Sequence, residues 1–251
     1  MSSSGSVMQT LEGFSAVLFD LDGVLTSTAA QHFAAWKATF DDFLQGHAER
    51  TGTTFQPFEH DDYLKHVDGL PRFAGVRNLL AARSIELAEG GVDDPPDAAT
   101  VHGLGNRKND LVNDIIARDG VEVFDGSVAL VQQLRARGVQ TAVVSSSRNC
   151  LTVLKAAGIV DLFDARIDGE VASELGLPGK PAPDTFLEAA RRLGVEPHAA
   201  VVVEDALSGV EAGRDGGFGL VVGVDRAGQA DALREHGADL VVTDLAELLT
   251  T

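Results

Sequence analysis

One cysteine, Cys150, one tryptophan and one tyrosine occur in 251 residues. A lone cysteine excludes an intramolecular disulfide and any metal cluster built on several thiolates, and it fits a reducing, intracellular compartment. Cationic residues are scarce as well: 20 Lys and Arg stand against 38 Asp and Glu, a formal net charge of −18. Nucleic acids are gripped at their phosphates by clustered Lys and Arg, so no nucleic-acid partner is expected. Acidity of this kind serves solubility, and an anionic ligand would have to be held by a few local cations. No apolar run approaches the ~20 residues that span a bilayer, so no membrane partner is expected either. The N-terminal "MSSSGSVMQTLEGF" lacks a basic segment followed by an apolar one. A signal peptide is therefore not expected, and the expectation is a soluble, cytoplasmic monomer.

What is present is an alternation. "SAVLFD", "GVQTAVVS", "AAVVVED", "GLVVGVD" and "ADLVVTD" are short β-branched or apolar runs of the kind buried on both faces of a sheet. Between the later ones lie "SVALVQQLRARG", "NCLTVLKAAG", "DTFLEAARRLG" and "ALSGVEAGRDGG", which have helical periodicity and close on glycine. Strand–helix alternation implies a parallel sheet with right-handed crossovers, so the expected fold class is α/β, a doubly wound parallel-sheet core. Residues 29–117 break the pattern. "AAQHFAAWKATFDDFL", "VRNLLAARSIEL" and "NRKNDLVNDIIARDG" are amphipathic helices without an intervening strand. They predict a helical insert, 29–117, in a core made of 1–28 and 118–251. "EGGVDDPPDAAT" is expected to be a solvated loop without calcium-ligand spacing. The G-x-G of "GLGNRKND" follows no strand and is not a dinucleotide site.

Ligands of an open parallel sheet bind beyond the carboxyl ends of its strands. Asp20 and Asp22 follow the first strand, and Glu204 and Asp205 end a later one. Neighbouring strands would crowd these carboxylates, and two like charges at ~4 Å repel by roughly 4 kcal/mol at an effective dielectric near 20. Either protonation or a bound cation must compensate. Mg²⁺, a hard cation held by one or two carboxylates and phosphate oxygens, is the expected cofactor for the cluster of Asp20, Asp22, Glu204 and Asp205. Taken alone, "DLDG" could be no more than a turn after a strand. With the second acidic pair it reads as chemistry. Asp20, first off the strand, is the candidate nucleophile, able to form an acyl-phosphate. Asp22, one step into the loop, is the candidate general acid and base.

Phosphate-binding groups are also present. "VVSSSRN" places Ser145, Ser146 and Ser147 at a strand end, with Arg148 and Asn149 opening a helix. Hydroxyls and backbone N–H groups there could hold an anion, or could simply cap the helix. "GKPAPD" puts Lys180 before two prolines, where it could neutralise phosphate oxygens and the nucleophile, with Asp184 as a candidate N-cap.

The stretches "DLDGVLTST", "VVSSSRN", "GKPAPD" and "VVVEDALSG", in this order and spacing, resemble the four motifs of the haloacid dehalogenase superfamily across nearly the whole chain. The resemblance implies that Asp20 is the nucleophile and Asp22 the acid/base. It further implies that Ser145 and Lys180 contact phosphate, that Glu204 and Asp205 lie at Mg²⁺, and that Asp22 ligates the metal through its backbone carbonyl. The helical insert would be that superfamily's class I cap. "DGVLTSTAAQHFAAWK" is similar to the β-phosphoglucomutase-like subfamily, matching at Thr28, His32, Phe33, Trp36 and Lys37. "DGLPRFAG" then offers Gly69 and Arg72 as substrate contacts, and "RKND" offers Lys108 and Asn109.

That likeness implies interconversion of β-D-glucose 1-phosphate and glucose 6-phosphate through an aspartyl-phosphate and a β-glucose 1,6-bisphosphate, with a small sugar phosphate as the partner. In it, His32 beside Thr28 would couple the cap to Asp22. Arg72 would grip the distal phosphate with Ser147, Arg148 and Asn149, and Ser145, Ser146 and Lys180 would hold the phosphoryl in transit. Trp36, at helical spacing from His32, is expected in the cap's core. The cap is longer than the subfamily pattern around 45–60 and 86–100, and "SELGLPGKP" carries extra residues. A Mg²⁺-dependent sugar-phosphate phosphatase on the same scaffold remains an alternative, as does a phosphosugar-binding module without turnover.

Overall fold

Four apolar side chains in succession, Ala16, Val17, Leu18 and Phe19, are each 0 % exposed, as expected of a strand covered on both faces. They form β1 at the centre of a sheet in the computed structural model, which describes residues 11–249. The first ten residues of "MSSSGSVMQTLEGF", where no signal peptide is expected, lie outside the described residues. By internal contacts the chain divides into two units, one running through Ser27 and resuming at Val121, the other Thr28–Gly120.

In chain order the elements are β1 Ala16–Phe19, then α1 Ala29–Thr51, α2 His60–His66, α3 Arg72–Ala82 and α4 Val101–Asp119. After these come α5 Asp125–Ala136, β2 Gln140–Val144, α6 Cys150–Ala156, β3 Ala165–Ile167, α7 Gly169–Leu175 and α8 Asp184–Leu193. The last are β4 Ala200–Glu204, α9 Leu207–Asp215, β5 Leu220–Val224, α10 Ala230–His236 and β6 Leu240–Val242.

All strand pairs are parallel, and the sheet order is β3-β2-β1-β4-β5-β6. This is the doubly wound α/β class expected from the alternation. The order reverses between β1 and β4, and a crevice at such a switch point is where these sheets bind ligands. Register sets the neighbours there: Phe19 lies beside Val143 of β2 and Val203 of β4, so the residues that follow emerge side by side. Helix α8 covers one face with Phe186, Ala189, Ala190 and Leu193, against Leu18, Val144 and Val202.

The Thr28–Gly120 unit has its own core. Trp36 and Phe40 stack at 5.0 Å between ring centroids, and Phe58, Tyr63, Val76, Leu79 and Leu104 pack in the same cluster. Trp36 is a core residue there, as expected.

The structure departs from the periodic pattern at particular elements. Helix α3 ends at Ala82, short of the apolar Ile85 and Leu87. Ser84 takes the left-handed conformation (φ 55°), and Ile85 N–H bonds back to Leu80 O at 2.9 Å, a turn that closes the helix. Ile85 and Leu87 still pack on the core of this unit, but as non-helical chain. Asp184 is the first helical residue of α8, with Pro183 at the cap position, so Asp184 is not an N-cap. Strand β3, "ARI", and helices α2 and α7 had no periodic signal long enough to stand out.

Candidate active site

Each strand at the switch point ends in a functional group because the sheet's last backbone bonds hold it there. Asp20 N–H donates to Val203 O at 2.9 Å, which fixes the residue at the lip of the sheet. Glu204 closes β4, and its Oε2 accepts from the Asp205 and Ala206 N–H groups, both at 2.9 Å. Lys180 reaches between them. Its Nζ lies 2.5 Å from Asp20 Oδ1, 2.5 Å from Glu204 Oε1 and 3.0 Å from Val144 O. The lysine side chain is 1 % exposed.

Burial pushes the Asp20 carboxyl well above the usual carboxylate range; Lys180 opposes this, while Glu204 and Asp22 add to it. For Lys180, burial disfavours the charged form, but Asp20 and Glu204 outweigh it and raise the ammonium above its ordinary value. Lys180 is therefore a fixed cation, anchored on Glu204 and turned to Asp20.

Asp20, Glu204 and Asp205 each offer a carboxylate oxygen, and these oxygens lie within 4.8 Å of one another. All three residues are buried. A buried all-oxygen group of this kind fits a hard divalent cation, and such an ion would offset the carboxylate repulsion that adds to the effect of burial on Asp20. The Asp22 carboxylate is not a member of the group. Two glycines make the packing possible. A Cβ on Gly209, in α9, would sit 1.8 Å from Glu204 Oε1, and one on Gly23 (φ 92°) would sit 1.8 Å from Asp205 Oδ2.

The serine segment follows β2. Ser145 is buried, and its Oγ accepts from Ser147 N–H at 3.1 Å; Ser147 Oγ accepts from Asn149 N–H at 3.1 Å. Ser146 lies between them, and α6 begins at Cys150. The Arg148 guanidinium donates to Ser173 Oγ of α7 at 3.0 Å.

The other expected residues belong to the Thr28–Gly120 unit. Thr28 is buried and precedes α1, and its carbonyl accepts from His32 N–H at 2.9 Å. His32 Nδ1 is 3.0 Å from Nζ of Lys108, itself buried and 5.1 Å from the centre of the Trp36 ring. A charged Lys108 has no acceptor and would donate to His32 Nδ1. Arg72 donates to Asn106 Oδ1 at 3.2 Å and Asn109 Oδ1 at 2.9 Å. Gly69 turns the chain before α3 with φ 70°.

Two residues that touch the acidic loops carry no sequence signal of their own: Arg226 and Gln229. Each acts through a backbone carbonyl distant in sequence.

The model of the haloacid dehalogenase-like hydrolases matches residues 14–217. The chain belongs to that family. Within these hydrolases it is 55% identical over 238 residues to a β-phosphoglucomutase of Mycobacterium bovis, covering 93% of this chain and 91% of that one. It is 33% identical over 234 residues to a β-phosphoglucomutase of Bacillus subtilis, again 93% and 91%. The crystal structure of a β-phosphoglucomutase from Clostridium difficile has the same fold, with a TM-score of 0.74 at 24% identity over 94% of this chain and 93% of that one. Among the described residues no helix is long and apolar enough to cross a membrane.

Proposed function

We propose that this hydrolase-family chain is a β-phosphoglucomutase, interconverting β-D-glucose 1-phosphate and glucose 6-phosphate through a β-glucose 1,6-bisphosphate. The observation that carries this is its identity with the mycobacterial β-phosphoglucomutase along almost the whole of both chains.

The chemistry follows from the groups at the switch point. The Asp20 carboxylate attacks a phosphorus of the bisphosphate, forming an acyl-phosphate bond as the phosphorus–oxygen bond to the sugar breaks. Asp22 supplies the proton to the departing hydroxyl oxygen, and the free monophosphate is released. In reverse, a sugar hydroxyl attacks the phosphoryl group on Asp20 while Asp22 takes its proton. Lys180, fixed by Glu204, offsets charge on Asp20 and on the moving phosphoryl oxygens; Ser145 and the Ser146 N–H donate to those oxygens. Asp20 and Asp205 would hold Mg²⁺ with the Asp22 carbonyl, and Glu204 would contribute beside its role as Lys180's anchor. When bound, the ion neutralises developing charge on the transferred group.

In the helical unit, which acts as a cap, Arg72 would grip the distal phosphate, supported by Asn109 and Gly69. Ser147, Arg148 and Asn149 would complete that subsite from the core. His32 and Lys108 would link cap closure to Asp22 and keep water from the phospho-Asp20.

The test is to supply β-glucose 1-phosphate, catalytic bisphosphate and Mg²⁺, and to follow glucose 6-phosphate and free phosphate together. Formation of glucose 6-phosphate with little free phosphate is expected, abolished by chelation and restored by Mg²⁺. Stoichiometric phosphate release without glucose 6-phosphate would make the chain a phosphatase instead.

A further inference from the structure

The turn between β5 and α10 touches the backbone of both acidic loops. Arg226 Nε donates to Gly23 O at 3.0 Å, and its Nη1 donates to Thr243 O at 2.9 Å. Its guanidinium carbon lies 3.7 Å from the centre of the Phe124 ring, and the side chain is 20% exposed. Three positions on, Gln229 Nε2 donates to Asp205 O at 3.1 Å, while Gln229 N–H is held by Asp225 Oδ1 at 2.8 Å. One short loop thus grips the residue after Asp22 and Asp205 itself.

We propose that Arg226 and Gln229 are positioning residues, a clamp that holds the Asp22 and Asp205 loops in the register a divalent cation needs. The backbone geometry explains how. Gly23 N–H donates to Thr26 O at 2.8 Å, which fixes the plane of the Asp22–Gly23 peptide. Because a trans peptide directs its C=O opposite to its N–H, the Asp22 carbonyl faces away from Thr26. Arg226 fixes the next plane through Gly23 O. With two successive planes held, the Asp22 carbonyl cannot swing independently. Asp205 leans directly on Gly23, so a shift of either loop moves the other. A lysine at 226 cannot bond two carbonyls and stack flat on Phe124 together, since only guanidinium is a planar fork.

The clamp deepens the proposed mutase site and rests on it. Mg²⁺ binding to the resting protein, measured by calorimetry, is the readout, with kcat, KM and melting temperature alongside. Partners that orient metal ligands are worth about 10–100-fold in affinity or activity. Arg226→Lys and Gln229→Ala should each raise the Mg²⁺ dissociation constant and lower kcat within that range, with KM for β-glucose 1-phosphate moving less than about twofold. Arg135→Met is the control, because Arg135 bonds Leu162 O and Asp164 Oδ1, both at 3.0 Å, in the same core away from the carboxylates. It should lower the melting temperature and leave Mg²⁺ affinity unchanged. If Arg226→Lys and Gln229→Ala behave as Arg135→Met does, the clamp is overturned. Failure of the unaltered protein to bind Mg²⁺ would overturn the site itself, an outcome visible before any variant is made.

Discussion

Lys180 stands 2.5 Å from Glu204, and both side chains are essentially sealed from solvent. A buried ion pair gains its attraction only while both partners remain, and removing one leaves an uncompensated charge in the interior.

Lys180→Met should accordingly lower the unfolding free energy by about 3–5 kcal/mol in the presence of chelator, the range found when one partner of a buried pair is deleted. Added Mg²⁺ should restore part of it, because the cation takes over the charge balance of Asp20, Glu204 and Asp205. Urea midpoints with and without Mg²⁺ measure both effects. An unchanged midpoint would mean that the ammonium is not what offsets the carboxylates.

Asp20 and Asp22 should separate cleanly. Asp20→Asn should abolish phosphorylation of the protein, whereas Asp22→Asn should retain the nucleophile and lose the ~10²–10⁴-fold that positioned acid–base groups supply. Phospholabelling followed by mass mapping distinguishes them. Label persisting in Asp20→Asn would rule that residue out as nucleophile.

Arg72 should matter for the sugar bisphosphate and not for small phosphates. A hydrogen bond to a charged group is worth ~1.5–3 kcal/mol, so Arg72→Ala should slow mutase turnover roughly 10–100-fold. Hydrolysis of acetyl phosphate should be nearly untouched, since that substrate has no second phosphate. Equal losses on both would place Arg72 outside the distal site.

Glu188 gives a pH signature in stability. Hydrogen bonds from Arg191 (2.6 Å) and Arg192 (2.9 Å) hold its carboxyl down to about 2, from an ordinary 4.5. A depressed carboxyl stabilises the fold above its unfolded value and loses that contribution as pH falls toward the folded one. Glu188→Gln should therefore be less stable than the parent at pH 7, and the gap between their urea midpoints should narrow below about pH 4.5. A gap that stays constant to pH 3 would show that the two arginines do not act through charge.

Much of this was legible in sequence because several strands announce themselves twice, as apolar runs and by the carboxylate or serine that follows. "VLFD", "VVVED" and "VVSSS" located Asp20, Glu204, Asp205 and Ser145 at strand ends, and the parallel order brought the first three together. β3 was not legible because "ARI" is three residues long and only partly buried, so it carries no run of hydrophobicity. Arg226 and Gln229 were not legible for another reason. Their partners are backbone carbonyls at Gly23 and Asp205, and a carbonyl has no identity in a sequence. Glu204's anchoring of Lys180 falls between these cases: the charges were visible, but the choice of partner depends on distances that only the folded chain sets.

The first unit leaves off at Ser27 and resumes at Val121, and the two ends are stitched to one another: Ser27 N–H bonds to Glu122 O at 2.9 Å, Phe124 N–H to Leu25 O at 3.0 Å, and Thr26 bridges Val123. Departure and return thus share a single doorway, so whatever length of chain is spliced between them imposes no strain on β1 or α5. This makes the catalytic half a socket. A spliced segment of another length or make could be seated at the same doorway without disturbing the sheet edge that carries Asp20 and Glu204.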